Sequence, residues 1–204
     1  MPTYRPTTPD GLVQTCAAMF AERRGPVVGA IDGADAAHPD RLADAVAASL
    51  RASGRPAAVV RTSDYIRPAS VRMEFGRTDT ESYRTLWFDW DALDREVVTA
   101  LRDTDVWLPR LWDERTDRSP RDRPLTAGPD QVVIVAGPML TGRGLDLSPV
   151  VRLTMSEAAL RRTTPEDDAW TVDALVEHER TTHGSGDLIV RYEHSDRPAV
   201  MATG

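Results

Sequence analysis

Apolar and polar residues alternate in blocks along the chain, and the spacing within each block predicts its structure. Helical spacing predicts helices over residues 10–23, 39–52, 80–86, 91–102, 156–162 and 165–182. Short apolar runs predict strands over residues 26–31, 57–61, 131–136, 149–154 and 187–192. The stretch over 113–130, rich in Arg, Asp and Pro, predicts an exposed loop. Helices that alternate with buried strands are typical of an α/β fold with a mostly parallel sheet.

The strand, turn and helix from Val27 to Ala47 have the most informative sequence, VVGAIDGADAAHPDRLADAVA. This segment resembles the phosphate-binding loop of the uridine kinase-like P-loop proteins of the actinobacterial type, D-G-x-D-A-A-G-K-T-T-L-A. Further segments resemble other parts of that family in the same order: TSDYIRP, GRTDTESYRTLWFDWDAL, LWDERTDRSP, VVIVAGPML and ALRRTTPED. Together they extend the resemblance over most of the chain from Val27 to Val200.

The resemblance implies both a fold and an activity. The implied fold is a P-loop NTPase-like three-layer α/β/α domain with a mostly parallel sheet, spanning residues 1–204. It would have an N-terminal helix over 10–24, and a small helical lid with C-terminal helices over 155–183. The implied activity is the ATP-dependent phosphorylation of a nucleoside hydroxyl.

The loop departs from the family pattern at the positions that hold the triphosphate. Gly33 is kept, but His38, Pro39 and Asp40 replace the family's Gly-Lys-Thr. His38 replaces a glycine that lets the backbone approach phosphate, and Pro39 removes both the lysine charge and an N–H donor. Asp40 replaces the hydroxyl that binds magnesium and adds a negative charge. Two unit charges about 4 Å apart in a partly screened site interact by ~4 kcal/mol, so we expect neither ATP nor Mg²⁺ to bind tightly.

Two further positions of the family's active site are changed. Ala136, in VVIVAGP, occupies the position of the acid in V-D-G that supports the metal in the family. The family's catalytic base, the first Asp of D-D-F-H, aligns with Ser63, although the neighbouring Asp64 could serve after a one-residue shift. Together these departures predict degenerate phosphate and metal motifs and the loss of ordinary kinase activity.

Two interpretations of the altered loop stay open. In the first, Pro39 begins a helix with His38 as its N-cap, and Asp40 and Asp44 lie near the positive end of the helix dipole. In the second, ionisable residues form a new acid/base or cation-binding cluster, because histidine beside carboxylates is a common acid/base arrangement. The residues of that cluster are Asp32, Asp35, His38 and Asp40.

The segments that face the nucleoside in the family keep arginine and aromatic side chains. Guanidinium groups bind carboxylates through two hydrogen bonds, and aromatic rings stack on flat ligands. We therefore expect a pocket for a small molecule, either nucleoside-like or a hydroxylated or carboxylated metabolite, although the aromatic residues could equally belong to the core. Its expected contacts are Tyr65, Arg67, Arg72, Phe75, Arg77, Tyr83, Trp87, Phe88 and Asp89, with Arg161 and Arg162 matching the family's lid arginines.

The composition narrows the chemistry and the partners. All 25 basic residues are arginine, so no lysine can form a Schiff base or occupy a phosphate loop. A simple exchange of lysine for arginine would have left Arg at position 39, where the chain has Pro39. The formal charge of −7 argues against a nucleic-acid or anionic-membrane partner. No apolar run approaches the ~20 residues of a membrane span, so we expect a cytoplasmic protein, with self-assembly left open.

Other candidate groups add less. Cys16 lies in an Ala-rich predicted helix and is expected to be a buried structural thiol. His178, Glu179 and His183 form H-E-x-x-x-H, one residue longer than the zincin motif, so no metal site is expected there. His194 lies in a predicted turn and receives no role.

The sequence leaves three functions open. The first is an enzyme that has been repurposed for ATP-independent elimination, cyclisation or isomerisation of a metabolite, with His38, Asp32, Asp40 and Asp64 as catalytic candidates. Secondary metabolism is one setting for such an enzyme. The second is a non-catalytic pseudokinase that acts as a ligand sensor or binds a partner. The third is a nucleoside or small-molecule kinase that is still active.

Overall fold

The computed structural model describes residues 3–182 and 186–201. Its strands are β1 (Tyr4–Pro6), β2 (Val27–Gly33), β3 (Ala57–Arg61), β4 (Val106–Trp107), β5 (Leu125–Thr126), β6 (Val132–Gly137), β7 (Val150–Thr154), β8 (Leu188–Arg191) and β9 (Ala199–Met201). Its helices are α1 (Pro9–Ala21), α2 (Pro39–Ala52), α3 (Ala69–Arg72), α4 (Thr80–Thr85), α5 (Trp90–Leu93), α6 (Ala100–Thr104), α7 (Glu157–Thr163) and α8 (Thr171–Thr181). A π-helical turn, Asp94–Thr99, joins α5 to α6.

The central sheet has the strand order β1-β9-β8-β7-β2-β6-β3. Strand β2 pairs in parallel with β6 and β7, β3 pairs in parallel with β6, and β7 with β8. Strand β9 is antiparallel to both β8 and β1. The carboxyl ends of β2, β3, β6 and β7 therefore meet at one edge of the sheet, where open α/β sheets bind ligands.

Two apolar layers cover the two faces of the sheet. Along β6, Val132 and Ile134 face one core cluster, which also contains α1 and α2, while Val133 and Val135 face the cluster formed by α5, the π-helical turn and α6. A strand that is buried on both faces needs a continuous apolar run, which explains the sequence VVIVA. The structure confirms the predicted three-layer α/β fold with a mostly parallel sheet.

The observed bounds agree closely with the prediction for several elements and differ for others. Helix α2 and strand β3 have the predicted bounds. Helix α1 ends at Ala21 and not at residue 23 or 24, because the chain turns at Gly25 with a φ of 73°. The helix predicted over 91–102 is interrupted by the π-helical turn.

The helix predicted over 165–182 begins six residues later than expected. Pro165 leads into a 3₁₀ turn, Glu166–Asp168, and α8 starts only at Thr171. The Thr171 hydroxyl donates to the Asp168 carbonyl at 2.7 Å, which ties the turn to the first residue of α8. The predicted loop over 113–130 contains the short strand β5, which pairs with β4.

One glycine lets two segments at the carboxyl edge of the sheet pack closely. Gly137, at the end of β6, has a φ of 148°, and a Cβ at this position would lie 1.9 Å from the Thr62 hydroxyl oxygen. Only glycine fits such an approach. The segments that follow β3 and β6 are thereby brought into direct contact.

Among residues 3–182 and 186–201, no helix has the length and apolar character needed to cross a membrane.

Candidate functional site

A cavity of about 1090 Å³ opens at the carboxyl edge of the sheet. Its walls come from the loop after β2, the segment after β3, the end of β6, the region from α3 to α4, and the segment that joins α7 to α8. Many of the residues predicted for the site line this cavity. They are Asp35, His38, Pro39, Asp40, Arg72, Arg77, Tyr83, Trp87 and Phe88.

The loop after β2 forms a closed 3₁₀ turn, Asp35–Ala37. The Ala37 N–H donates to the Ala34 carbonyl at 2.8 Å, and the His38 N–H donates to the Asp35 carbonyl at 2.9 Å. Pro39, the first residue of α2, has no N–H. These two N–H groups of the turn are therefore already bonded to carbonyls of the loop itself.

His38 has the backbone conformation of a glycine. Its φ and ψ are 50° and 54°, in the left-handed region, and its side chain makes no capping hydrogen bond to α2. A left-handed conformation costs a residue with a Cβ roughly 1 kcal/mol or more. The loop thus keeps a turn geometry that suits glycine, although the side chain at this position is an exposed imidazole.

Asp35 is the most strongly perturbed carboxyl group of the cavity wall. Its side chain reaches the solvent in the cavity, but protein surrounds it. Burial, followed by the charges of Asp40, Asp168 and Glu114, raises the pKa of Asp35 to about 6. A carboxyl group with such a pKa can accept and return a proton near neutral pH.

Asp32 does not face the cavity. Its carboxylate is buried and accepts hydrogen bonds from the backbone N–H groups of Leu140 and Thr141 at 3.1 and 3.0 Å, and also from the Thr141 hydroxyl. The structure therefore does not bring Asp32 together with His38 and Asp40 in one pocket. Its visible role is to fasten the segment after β6 to the end of β2.

Asp64 lies beside a different, shallower cavity of about 410 Å³. Its carboxylate accepts a hydrogen bond from the Arg61 N–H at 3.2 Å, which closes the turn after β3. Burial is the largest influence on this group and raises the pKa of Asp64. Its neighbour Ser63 lines both cavities.

Arg72 and Trp87 form a wall of the main cavity. The guanidinium group of Arg72 is buried, lies 5.0 Å from the ring centroid of Trp87, and donates to Glu114 at 3.1 Å. Tyr83 packs edge-on against Trp87, with 5.2 Å between the ring centroids, and against Trp170 at 5.3 Å. The aromatic residues thus belong both to a small core cluster and to the cavity wall.

Other residues predicted for the ligand pocket have contacts elsewhere. Tyr65 is buried and donates to the Leu108 carbonyl at 2.6 Å. Asp89 caps α5 by accepting from the Ala92 N–H, and its carboxylate lies 4.0 Å from Arg67. Phe75 is exposed to solvent.

The two arginines predicted for the lid lie outside the cavity wall. Arg161 is paired with Glu157 at 2.9 Å and with Asp173 at 2.6 Å. Arg162 is exposed, and the cavity lining does not include it. Carboxylates of the lid reach the cavity in their place.

Several lining residues were not singled out from the sequence, and those with charged or aromatic side chains include Glu114, Asp167, Asp168 and Trp170. Glu114 and Asp167 lie inside the segments LWDERTDRSP and ALRRTTPED, and Asp168 and Trp170 follow the second of these directly. The run of acidic residues after Arg162, Glu166 to Asp168, was the feature of the sequence that could have indicated them. The segment that joins α7 to α8 therefore presents carboxylates, and not arginines, to the cavity.

The remaining candidates lie apart from the main cavity. Burial raises the pKa of the Cys16 thiol to about 12, so the thiol stays protonated at neutral pH. His178 is buried, and burial lowers its pKa. His183 lies outside the described residues. Within 3–182 and 186–201, no three His, Cys, Asp or Glu side chains are grouped closely enough to hold a metal ion.

We predict that His38→Gly stabilises the protein by roughly 1 kcal/mol, because glycine adopts the left-handed conformation without the cost of a Cβ. Ala34→Gly, in the same loop at a φ of −56°, is the matched control. It should lower the stability, since glycine there only adds entropy to the unfolded chain. Denaturant unfolding measures both variants, and a His38→Gly variant that is less stable than the wild type would contradict the backbone assignment.

We also predict that Asp35 makes the stability depend on pH. Its pKa in the folded chain, about 6, is higher than the ordinary value for an aspartate, so the folded state holds the proton more tightly. The contribution of Asp35 to stability therefore falls as the pH rises from about 4 to about 6 and stays lost above that range. At pH 7, Asp35→Asn should raise the free energy of unfolding by about 1 kcal/mol over the wild type, a value reduced for solvent screening in the cavity. At pH 4 it should change the free energy of unfolding hardly at all.

Thermal or urea unfolding across this pH range tests the prediction. Asp103→Asn, an equal change of charge at an exposed residue of α6, serves as the control and should follow the wild-type curve. An Asp35→Asn curve parallel to that of the wild type would show that Asp35 has an ordinary pKa.

The fold is similar to that of several solved kinases. No protein-family model and no curated protein matches the chain. A possible uridine kinase from Bacillus stearothermophilus is 20% identical, with a TM-score of 0.68 over 89% of this chain and 96% of that one. A candidate fructose transport system kinase from Silicibacter sp. TM1040 is 19% identical, with a TM-score of 0.61 over 90% of this chain and 98% of that one. D-glycerate 3-kinase from Cryptococcus neoformans is 13% identical, with a TM-score of 0.50 over 86% of this chain and 81% of that one. At these identities the likeness establishes the fold alone, a three-layer α/β fold with a mostly parallel sheet.

Proposed function

We propose that the protein binds a small metabolite in the main cavity and transforms it without ATP, by acid/base chemistry centred on Asp35. The observation that carries this proposal is the loop after β2, which presents carboxylates in place of a phosphate cradle. Asp35 and Asp40 both line the cavity there. Elimination, cyclisation and isomerisation are reactions of this kind, because a general base that removes a proton and a general acid that protonates the leaving group or product can catalyse each of them without a cosubstrate.

The residues present do not fit magnesium triphosphate. Phosphate loops bind through free N–H groups and a lysine, whereas the Ala37 and His38 N–H groups are bonded within the loop and Pro39 has none. Carboxylates at Asp35 and Asp40 would repel the phosphates. At the end of β6, Ala136 offers no ligand for a metal ion.

Two cavity groups suit proton transfer. Asp35 has a pKa of about 6, raised first by burial and then by neighbouring carboxylates. His38 is exposed on the same loop and lines the same cavity, so it can supply or remove the second proton that such reactions require. Asp40 keeps the pKa of Asp35 high through its charge. In this scheme Asp32 and Asp64 position the backbone and do not touch the substrate.

A second candidate function is a ligand sensor that performs no chemistry. The contacts of Asp32 and Asp64 favour it, because these two of the four predicted catalytic groups accept hydrogen bonds from the protein itself. Such a protein would bind its ligand in the same cavity and release it unchanged. Formation of a product distinguishes the two functions.

We predict that magnesium ATP binds with a dissociation constant above about 1 mM, because the loop lacks its lysine and presents added carboxylates. Isothermal titration calorimetry measures this directly. The triple variant His38→Gly, Pro39→Lys, Asp40→Thr restores the family's loop residues and should bind magnesium ATP more tightly than the wild type does. Micromolar binding by the wild-type protein would mean that a working kinase site has survived.

We further predict turnover without ATP. The purified protein, incubated without nucleotide or magnesium with a panel of nucleosides and amines, should convert at least one compound to an isomer or a dehydrated product. Asp35→Asn should lower that rate by about 10²-fold or more, while Asp103→Asn should leave it unchanged. Liquid chromatography coupled to mass spectrometry follows the products, because an isomer has the same mass as its substrate. A product that appears only when ATP is added, and that carries a new phosphoryl group, would refute the proposal.

A further inference from the structure

The main cavity has more acid than base on its walls. Its lining includes the carboxylates of Asp35, Asp40, Glu114, Asp167 and Asp168, against the arginines Arg61, Arg72 and Arg77. Two of those arginines are neutralised by the protein itself, because Arg61 pairs with Asp44 at 2.7 Å and Arg72 with Glu114 at 3.1 Å. No ion pair is formed by Asp35, Asp40, Asp167 or Asp168 with any residue of 3–182 and 186–201.

These carboxylates approach the cavity from separate walls. Asp35 belongs to the loop after β2, Asp168 to the 3₁₀ turn before α8, and Glu114 to the segment between β4 and β5. All three line the same cavity, and burial, followed by the charges of Asp40, Asp168 and Glu114, raises the pKa of Asp35. Convergence of like charges from separate walls is unfavourable in the empty cavity, and a bound cation would remove that cost.

An aromatic surface borders the carboxylates. The rings of Tyr83, Trp87 and Trp170 are mutually packed, with centroids 5.2 to 5.3 Å apart, and all three residues line the cavity. Tyr83 lines the same cavity as Asp35 and Asp168, and burial, followed by the charges of these acids, raises the pKa of its hydroxyl. Aromatic faces beside carboxylates are the arrangement that binds ammonium groups in proteins.

A buried donor marks a second point of contact for a ligand. Arg72 lines the cavity with only 4% of its surface exposed, and its Nε has no hydrogen-bond partner among the described residues. An unsatisfied buried donor is costly, and an acceptor oxygen would remove that cost. Glu114 accepts a hydrogen bond from one nitrogen of the guanidinium group. A guanidinium group has five N–H donors, so others are left for a ligand.

We propose that the cavity binds an organic amine, whose ammonium group pairs with the unpaired cavity carboxylates Asp35 and Asp168 and whose apolar body packs on the aromatic surface. An oxygen of the same ligand accepts from Arg72. This inference rests on the proposed function in that it takes the cavity to be a metabolite site, and it names the chemical class of the metabolite.

A series of probes that share one framework and differ in charge tests the inference. The cationic probe is 2-amino-1-phenylethanol, the neutral one is its N-acetyl derivative, and the anionic one is 3-hydroxy-3-phenylpropionate. All three keep the phenyl ring and the hydroxyl group. Quenching of tryptophan fluorescence measures binding at pH 7.5 and low salt, because Trp87 and Trp170 both line the cavity.

The amine should bind about tenfold or more tightly than either of the other probes, a difference of about 1.4 kcal/mol. Asp168→Asn changes an exposed residue and should weaken binding of the amine about tenfold without altering that of the N-acetyl probe. Asp103→Asn, the same change of charge outside the cavity, should leave both unchanged. Added salt should weaken the binding of the amine and leave the binding of the neutral probe unchanged.

Equal or tighter binding of the neutral or anionic probe would overturn the inference. The absence of binding by the amine up to about 50 mM, on the order of the weakest specific affinities, would also overturn it. These outcomes are independent of the proposed function, because no turnover is measured. A protein that prefers the amine but forms no product would be a sensor for amines. A protein that turns over neutral compounds, and does not prefer amines, would keep the proposed function without this ligand class.

Discussion

The buried carboxylate of Asp32 fixes the edge of the sheet on which the cavity is built. It sits near the end of β2 and accepts from the Leu140 and Thr141 N–H groups and from the Thr141 hydroxyl. A buried charge is tolerated only when such partners satisfy it, so the segment after β6 has one favourable position against β2. Gly137 then brings that segment against Thr62. The relative positions of the loops after β2, β3 and β6, and hence the cavity floor, follow from these contacts.

The sequence predicted the elements that are defined by local signals. Pro39 starts α2 and Gly54 follows its end, and the β-branched run of β6 is buried on both faces. Strands β1 and β9 were missed because three residues show no period. Their stability comes from pairing within the sheet, β1 with β9 and β9 also with β8. The late start of α8 was missed because it depends on the contact between Thr171 and the Asp168 carbonyl, which helical spacing does not reveal.

The candidate site divides along the same line. Residues whose positions follow from the loop after β2, such as His38 and Asp40, line the cavity as expected. Asp32 and Tyr65 were predicted to meet a ligand, but each forms a hydrogen bond inside the protein. Sequence spacing predicts that a side chain lies at the end of a given strand. The direction in which that side chain points depends on hydrogen-bond partners that are distant in the sequence. Leu140, for example, is 108 residues from Asp32.

Charge links the loop to the rest of the cavity. In a chain without lysine, a polyphosphate would have to be held by arginine and by loop N–H groups. Arg161 is bonded to Glu157 and Asp173, and Arg61 to Asp44, while the Ala37 and His38 N–H groups are bonded to loop carbonyls. What the cavity has in excess is carboxylate, together with aromatic surface. Under the proposed function, His38, Pro39 and Asp40 would set the sign of the charge that the cavity binds. An aspartate at position 40 would attract an ammonium group by the same interaction through which it would repel phosphate.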